Sequence, residues 1–297
     1  MNNRNDPHDT AHPLEKWLNY TAVTLCSLIS VLQWQAVSQQ DESGLLATTI
    51  LVLISIGSLL WDKRRSLRVY SSLTSSLASS WISSLIGFLL ILLVLLRSLT
   101  PSGYQPQISL VIAGVGLGLL VSGYQGLIQY WRELTIASLL LMNPILTALL
   151  QAVNLPLMTA SFSTLVLSIL GFNAQQQGLF ILLPSGRVEV YGACSGVESI
   201  VQMFNLAIIL ALVLPAKLWV KWISFGLAPS IGFCVNALRV ALLTFLISRS
   251  NLNAFHYWHD DPNASSVFFL IAAALLLTFY YIVYNISTAK LPRPPRS

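Results

Sequence analysis

The chain has 297 residues and a formal net charge of +5, with 55% of its residues hydrophobic and only 9% charged. Its mean hydropathy is +0.70. A soluble domain carries about 25% charged residues, so this composition cannot cover a water-facing surface. It excludes a soluble enzyme, an extended disordered chain and a disulfide scaffold. The basic residues are scattered over loop ends, which argues against a nucleic-acid partner. The fold class expected is an all-α polytopic membrane protein, since eight helices of about 20 residues need only about 160 residues.

Residues 1–16 read as a polar N-terminal tail without a secretory signal pattern. Trp17–Val37 reads as a retained first span. Further apolar runs lie at 44–61, 79–97, 107–124, 134–153, 198–215, 218–248 and 264–287. They give about eight transmembrane helices in a domain over 17–289. The serine-rich stretch 71–84 reads as an interfacial approach to the third span. One more run, about 155–171, is bounded by Pro156 and Gly171 and dotted with Ser161, Ser163, Thr164 and Ser168. It reads as an interfacial helix after the fifth span. Residues 290–297 form a basic, proline-rich tail. Placing both termini in the cytoplasm leaves only Arg97, Arg187, Arg239 and Arg249 of the 16 basic residues off the inner side, as the positive-inside rule asks.

The long outer connection 171–193 carries two β-prone runs, Gly178–Leu183 and Arg187–Tyr191, around the turn residues Pro184, Ser185 and Gly186. The pattern predicts a short outer β-hairpin just before the sixth span.

Polar groups near spans need a reason. Arg239 lies about 18 residues, or about 27 Å of helix, beyond Lys221, near the outer interface. Asn236 shares its face. The arginine reads as a site cation or as a snorkelling anchor. Cys194 also falls at the outer surface, between Gly192 and Gly196, where it opens a helix. A helix N-terminus and a nearby cation would both lower its pKa; the alternative is an inert small residue. Cys26 and Cys234 lie inside apolar runs and read as small buried residues. Glu198, one turn below Cys194, is the one acid read as lying deep in a span, and is taken as part of the same outer site or as a helix-start carboxylate. The last outer loop, Asn253–Pro262, holds His256 and His259 beside Asp260 and Asp261. A histidine there suits acid–base work near neutral pH. A solvated aromatic belt and a metal site are the alternatives, and no metal is assigned. A nucleophile, a cation and a base at one depth suit covalent catalysis.

Ala193-Cys194-Ser195-Gly196 after an outer hairpin, Asn236-x-x-Arg239-Val240 in the next helix and the later Tyr257-Trp258-His259 together resemble the exosortase/archaeosortase family, most closely its cyanobacterial branch. The likeness is specific over about 178–270. It implies a membrane cysteine transpeptidase or protease at the outer face of the bacterial inner membrane. Its partners would be membrane lipid and exported proteins with a C-terminal sorting tail: a Pro-Glu-Pro-type motif, a transmembrane helix and a basic cluster. The resemblance makes Cys194 the nucleophile, Arg239 the family's arginine, which would stabilise the thiolate or oxyanion, and His259 its histidine. Glu198, Asn236 and His256 become substrate-binding candidates. No cofactor is implied. Asp260 to Asn263 stand where the family commonly has a glycine, and His256 is the alternative base. Two other function classes stay open: a scaffold subunit of an envelope export or polysaccharide system, and a small-molecule transporter. The absence of an inverted repeat argues against the latter.

Overall fold

A computed structural model describes residue 31 and residues 43–63, 77–98 and 106–289. Both tails, nearly all of the expected first span and the serine-rich stretch up to residue 76 lie outside the described residues. The chain forms two compact units, Met1–Leu141 and Met142–Ser297.

The first unit contains helices α1 (Ser43–Lys63), α2 (Leu77–Ser98) and α3 (Pro106–Gly126). A 3-10 turn, Leu127–Tyr130, leads into α4 (Trp131–Gln151), within which the two units divide. Helices α2 and α3 pack backbone to backbone at glycines. A Cβ on residue 87 would stand 2.6 Å from the Gly116 carbonyl oxygen. In lipid, where apolar surface drives no association, such close approach is a main source of helix pairing. Lys63 Nζ lies 2.7 and 2.8 Å from the two carboxylate oxygens of Glu133. Glu133 is buried, whereas Glu198 is exposed. The partner of Glu133 sits 70 residues away, beyond the reach of any local pattern.

The second unit contains α5 (Leu155–Ile169), strands β1 (Gln175–Gln177), β2 (Phe180–Leu183) and β3 (Gly186–Glu189), and a 3-10 turn, Gly192–Cys194. Helices α6 (Val197–Val213), α7 (Leu218–Ser248), α8 (Leu252–Asp260) and α9 (Pro262–Ala289) follow. Helix α7 is the hub, packing against α5, α6, α8, α9 and β3. Gly232 lets α6 come close: a Cβ there would stand 2.6 Å from the Ser199 carbonyl oxygen. Helix α5 buries Leu155, Thr159, Ala160, Ser163 and Leu167, the stripe of an amphipathic helix. Ser163 Oγ donates 2.8 Å to the carbonyl of Ala237 on α7.

The sheet has the order β1-β2-β3 and is antiparallel throughout, with Gln175 opposite Leu182 and Leu183 opposite Gly186. Strands β2 and β3 are the expected hairpin, closed by Pro184 and Ser185. The third strand is an addition, because Gln175–Gln177 carries no β signal of its own. Ile181, Leu183 and Val190 turn inward and pack with Ala160, Leu167, Val240 and Ala241. Arg187 and Glu189 turn outward and are exposed.

The described residues do not confirm the count of eight spans, since nearly all of the expected first span lies outside them. Among the described residues, five stretches are long and apolar enough to cross a membrane: Trp81–Ser98, Gln107–Tyr124, Leu127–Gln151, Leu218–Ser248 and Ala264–Val283. Helix α6 coincides with the expected sixth span. Its 17 residues give about 26 Å, less than the hydrocarbon thickness of about 30 Å. Only 17% of Ala264–Val283 is buried, and Leu270, Leu275 and Tyr281 are exposed. A surface of this kind suits lipid and not water.

Candidate active site

Strand β3 runs through Val190 and Tyr191 into the turn Gly192–Cys194. Gly196 follows in the left-handed region with φ +88°, and α6 starts at Val197. A Cβ on residue 196 would stand 2.9 Å from Asn236 Nδ2, so both backbone and space demand glycine. Three hydrogen bonds fix this corner. Ser195 Oγ donates 2.6 Å to the Gly192 carbonyl. Thr159 Oγ1 donates 2.8 Å to the Ser195 carbonyl. Asn236 Nδ2 donates 3.0 Å to the Cys194 carbonyl. Helices α5 and α7 thus hold the backbone on which Cys194 is mounted.

The expected outer loop at 253–262 is instead mostly helix α8. Asn251 Oδ1 accepts from the Ala254 amide at 3.2 Å, a regular N-cap. His259 stacks on Phe255 one turn earlier, with ring centroids 5.2 Å apart and planes 13° apart. Its Nε2 lies 3.6 Å from Cys194 Sγ and 3.4 Å from the Tyr191 hydroxyl. Its Nδ1 lies 2.5 Å from Asp260 Oδ1. The second oxygen of Asp260 lies 2.8 Å from His256 Nδ1. Hydrogen bonds from His259 and then from His256 hold the Asp260 carboxyl below its ordinary range. An ionised carboxylate only accepts, so the proton of the neutral imidazole sits on Nδ1 and leaves Nε2 facing the thiol as an acceptor. Thiol, imidazole and carboxylate stand in line.

Arg239 Nε and Nη2 donate to the Trp258 carbonyl at 3.3 and 3.2 Å. Nη2 also donates to the His259 carbonyl at 3.1 Å and to Ser265 Oγ at 3.0 Å. The guanidinium therefore clamps the C-terminal carbonyls of α8 to α7, where a cation also answers the negative end of the helix. Its hydrogen-bond partners are these carbonyls and a hydroxyl, its guanidinium carbon lies 5.8 Å from the Phe268 ring centroid, and the Cys194 sulfur is not among these contacts. Burial pushes the Cys194 thiol up from its ordinary value, and the Arg239 charge pulls it down by less. This reverses the expectation of an acidified thiol: desolvation outweighs the cation, and Cys194 precedes α6 by three residues. Iodoacetamide alkylation of Cys194 is therefore expected to keep rising with pH beyond about 8.5, the range of an ordinary free thiol. A rate already flat at pH 7 would show a preformed thiolate and overturn this.

Cys194 and His259 line a cleft of about 280 Å³. Arg187, Glu189 and Tyr191 form its β3 side, Val240, Leu243 and Ile247 of α7 its apolar floor, and Phe255 its α8 side. Of the residues singled out in the sequence, Cys194, Asn236, Arg239 and His259 come together here. His256 meets Asp260 and the edge of Phe255 and does not line the cleft, with its side chain 65% exposed. Glu198 is exposed, accepts 3.0 Å from Gln202 Nε2 and does not line the cleft. The residues missed are Asp260 as the partner of His259, Tyr191 and Phe255. Reading 252–260 as a helix would have paired Phe255 with His259 and His256 with Asp260, four residues apart on shared faces.

A family model described as transmembrane exosortase matches residues 34–278, well over half of the chain. No curated protein and no solved structure matches it.

Proposed function

The chain belongs to the transmembrane exosortase family, and on that premise we propose that it is a membrane cysteine transpeptidase or peptidase. Its substrates are exported proteins with a C-terminal tail made of a Pro-Glu-Pro-type motif, a transmembrane helix and a basic cluster. It sits in the bacterial inner membrane with both termini cytoplasmic and the cleft on the outer face.

The observation that carries this reading is the line from Cys194 Sγ through His259 to Asp260. His259 Nε2 takes the thiol proton as Sγ attacks the scissile carbonyl carbon. The tetrahedral intermediate collapses, the C–N bond breaks, and His259 returns the proton to the leaving amine. A thioester on Cys194 remains. Water or an acceptor amine then attacks it, deprotonated by His259, and the thiolate leaves and is reprotonated. Asp260 keeps the imidazole in the tautomer and orientation this needs, as the third group of such triads does. The buried, protonated thiol makes the histidine a base that must act in the attack itself.

The test pairs the protein with a reporter carrying such a tail in a host membrane. The expected result is a shortened reporter, with acid-quenched samples holding a hydroxylamine-sensitive adduct on the Cys194 peptide. An unshortened reporter, or shortening without such an adduct under single-turnover conditions, overturns the reading.

A further inference from the structure

Strand β3 ends the sheet order β1-β2-β3, so among the described residues its second edge pairs with no strand. The register says which groups that edge offers. Leu183 is opposite Gly186, Ile181 opposite Val188, and the Val190 amide donates to the Leu179 carbonyl at 2.9 Å. In an antiparallel ladder, hydrogen-bonded positions alternate. Gly186, Val188 and Val190 thus aim their amides and carbonyls at β2, and Arg187 and Glu189 aim theirs away from it. Arg187, Val188 and Glu189 line the cleft that also contains Cys194 and His259.

We propose, resting on the function given above, that the substrate's extended segment adds to this free edge as an antiparallel fourth strand, with an acidic side chain opposite Arg187. Strand addition is a recurrent way to hold an extended peptide, with main-chain bonds giving affinity and alternate side chains giving specificity. Here it delivers the chain to the corner that carries Cys194, because β3 runs into that corner through Tyr191. The two faces of the added strand meet different chemistry. A substrate residue paired with Arg187 shares its face, since directly opposite residues lie on one side of a sheet. Arg187 is exposed there and stacks on Phe180, 5.6 Å from guanidinium carbon to ring centroid. Glu189 follows two residues on, so a single acid is favoured and a second beside it is repelled. The flanking substrate residues fall on the other face, over Val240, Leu243 and Ile247. That face asks for compact apolar side chains. Their own amides point away from β3, so they need no N–H to bond. Proline meets both conditions, because it is tolerated in a strand only where its missing amide faces outward. A Pro-Glu-Pro-type segment thus fits this edge in the antiparallel direction. Parallel addition would turn the acid toward the apolar floor, where charge is costly.

Two experiments test this edge, each normalised to wild-type protein processing the parent reporter. Charge reversal, Arg187→Glu, is expected to slow processing of the acidic-motif reporter about tenfold, and a reporter with lysine in place of the motif's acid should regain the rate. Alkylation of Cys194 in Arg187→Glu should match wild type, which separates loss of recognition from loss of the site. In the second experiment a synthetic tail peptide is N-methylated at the acidic residue, which removes the amide that would pair with β3. Its turnover should fall at least about tenfold. Equal processing by Arg187→Glu, no rescue by the lysine reporter, or unchanged turnover of the methylated peptide would each overturn the proposal. Any of these would leave the cysteine mechanism standing, because wild type would still process the parent.

Discussion

Cys194→Ala and His259→Ala are each expected to lower reporter processing at least about a thousandfold, and the double variant should be no worse than either alone. Sulfur and imidazole work as one device, and groups that act as a unit are strongly non-additive. The general base alone is worth about 100- to 10,000-fold. Single-turnover rates in membranes, corrected for protein level, measure it. His256→Ala should stay within about threefold of wild type, because His256 meets Asp260 from the exposed side and is not within reach of the sulfur. If His256→Ala were the inactive variant and His259→Ala active, the base assignment would be reversed. A double variant much slower than both singles would mean that the two side chains serve separate steps.

Arg239→Ala is expected to cost about a hundredfold in kcat with KM little changed. Arg239 acts on the site through α8. It anchors the carbonyls of Trp258 and His259 and the Ser265 hydroxyl with one guanidinium. Truncation leaves these acceptors unpaired and frees the C-terminal end of α8, and a misplacement of about 1 Å in a catalytic group costs about this much. Arg239→Lys should recover little, since an ammonium cannot reproduce the planar fork. A positioning role has a second signature here. The Arg239 charge lowers the Cys194 pKa, so removing it must move the alkylation curve of Cys194 to higher pH. A rise in KM alone, or an unmoved alkylation curve, would contradict this account.

Sequence by itself determined the membrane class, most of the long helices and four residues of the site, Cys194, Asn236, Arg239 and His259, while helix α8 was read as a loop. Helix α7, Leu218–Ser248, was legible as an apolar run at about 218–248, because length and hydropathy are sums over a local window. The corner at Cys194 was legible because Gly192 and Gly196 mark it and β-prone runs precede it. The hairpin of β2 and β3 was legible from alternation and turn chemistry. Tertiary structure alone decided the partners. His259 meets Cys194 from 65 positions away, Arg239 meets the His259 carbonyl from 20, and Lys63 meets Glu133 from 70. No periodicity encodes such distances, which follow from how helices cross and where glycines let backbones approach. The same holds for the state of Cys194. Its neighbours along the chain predict an acidified thiol at a helix start, while burial by α5, α7 and the sheet pushes it the other way. Burial is a property of the packed chain, and desolvation there outweighs a single cation.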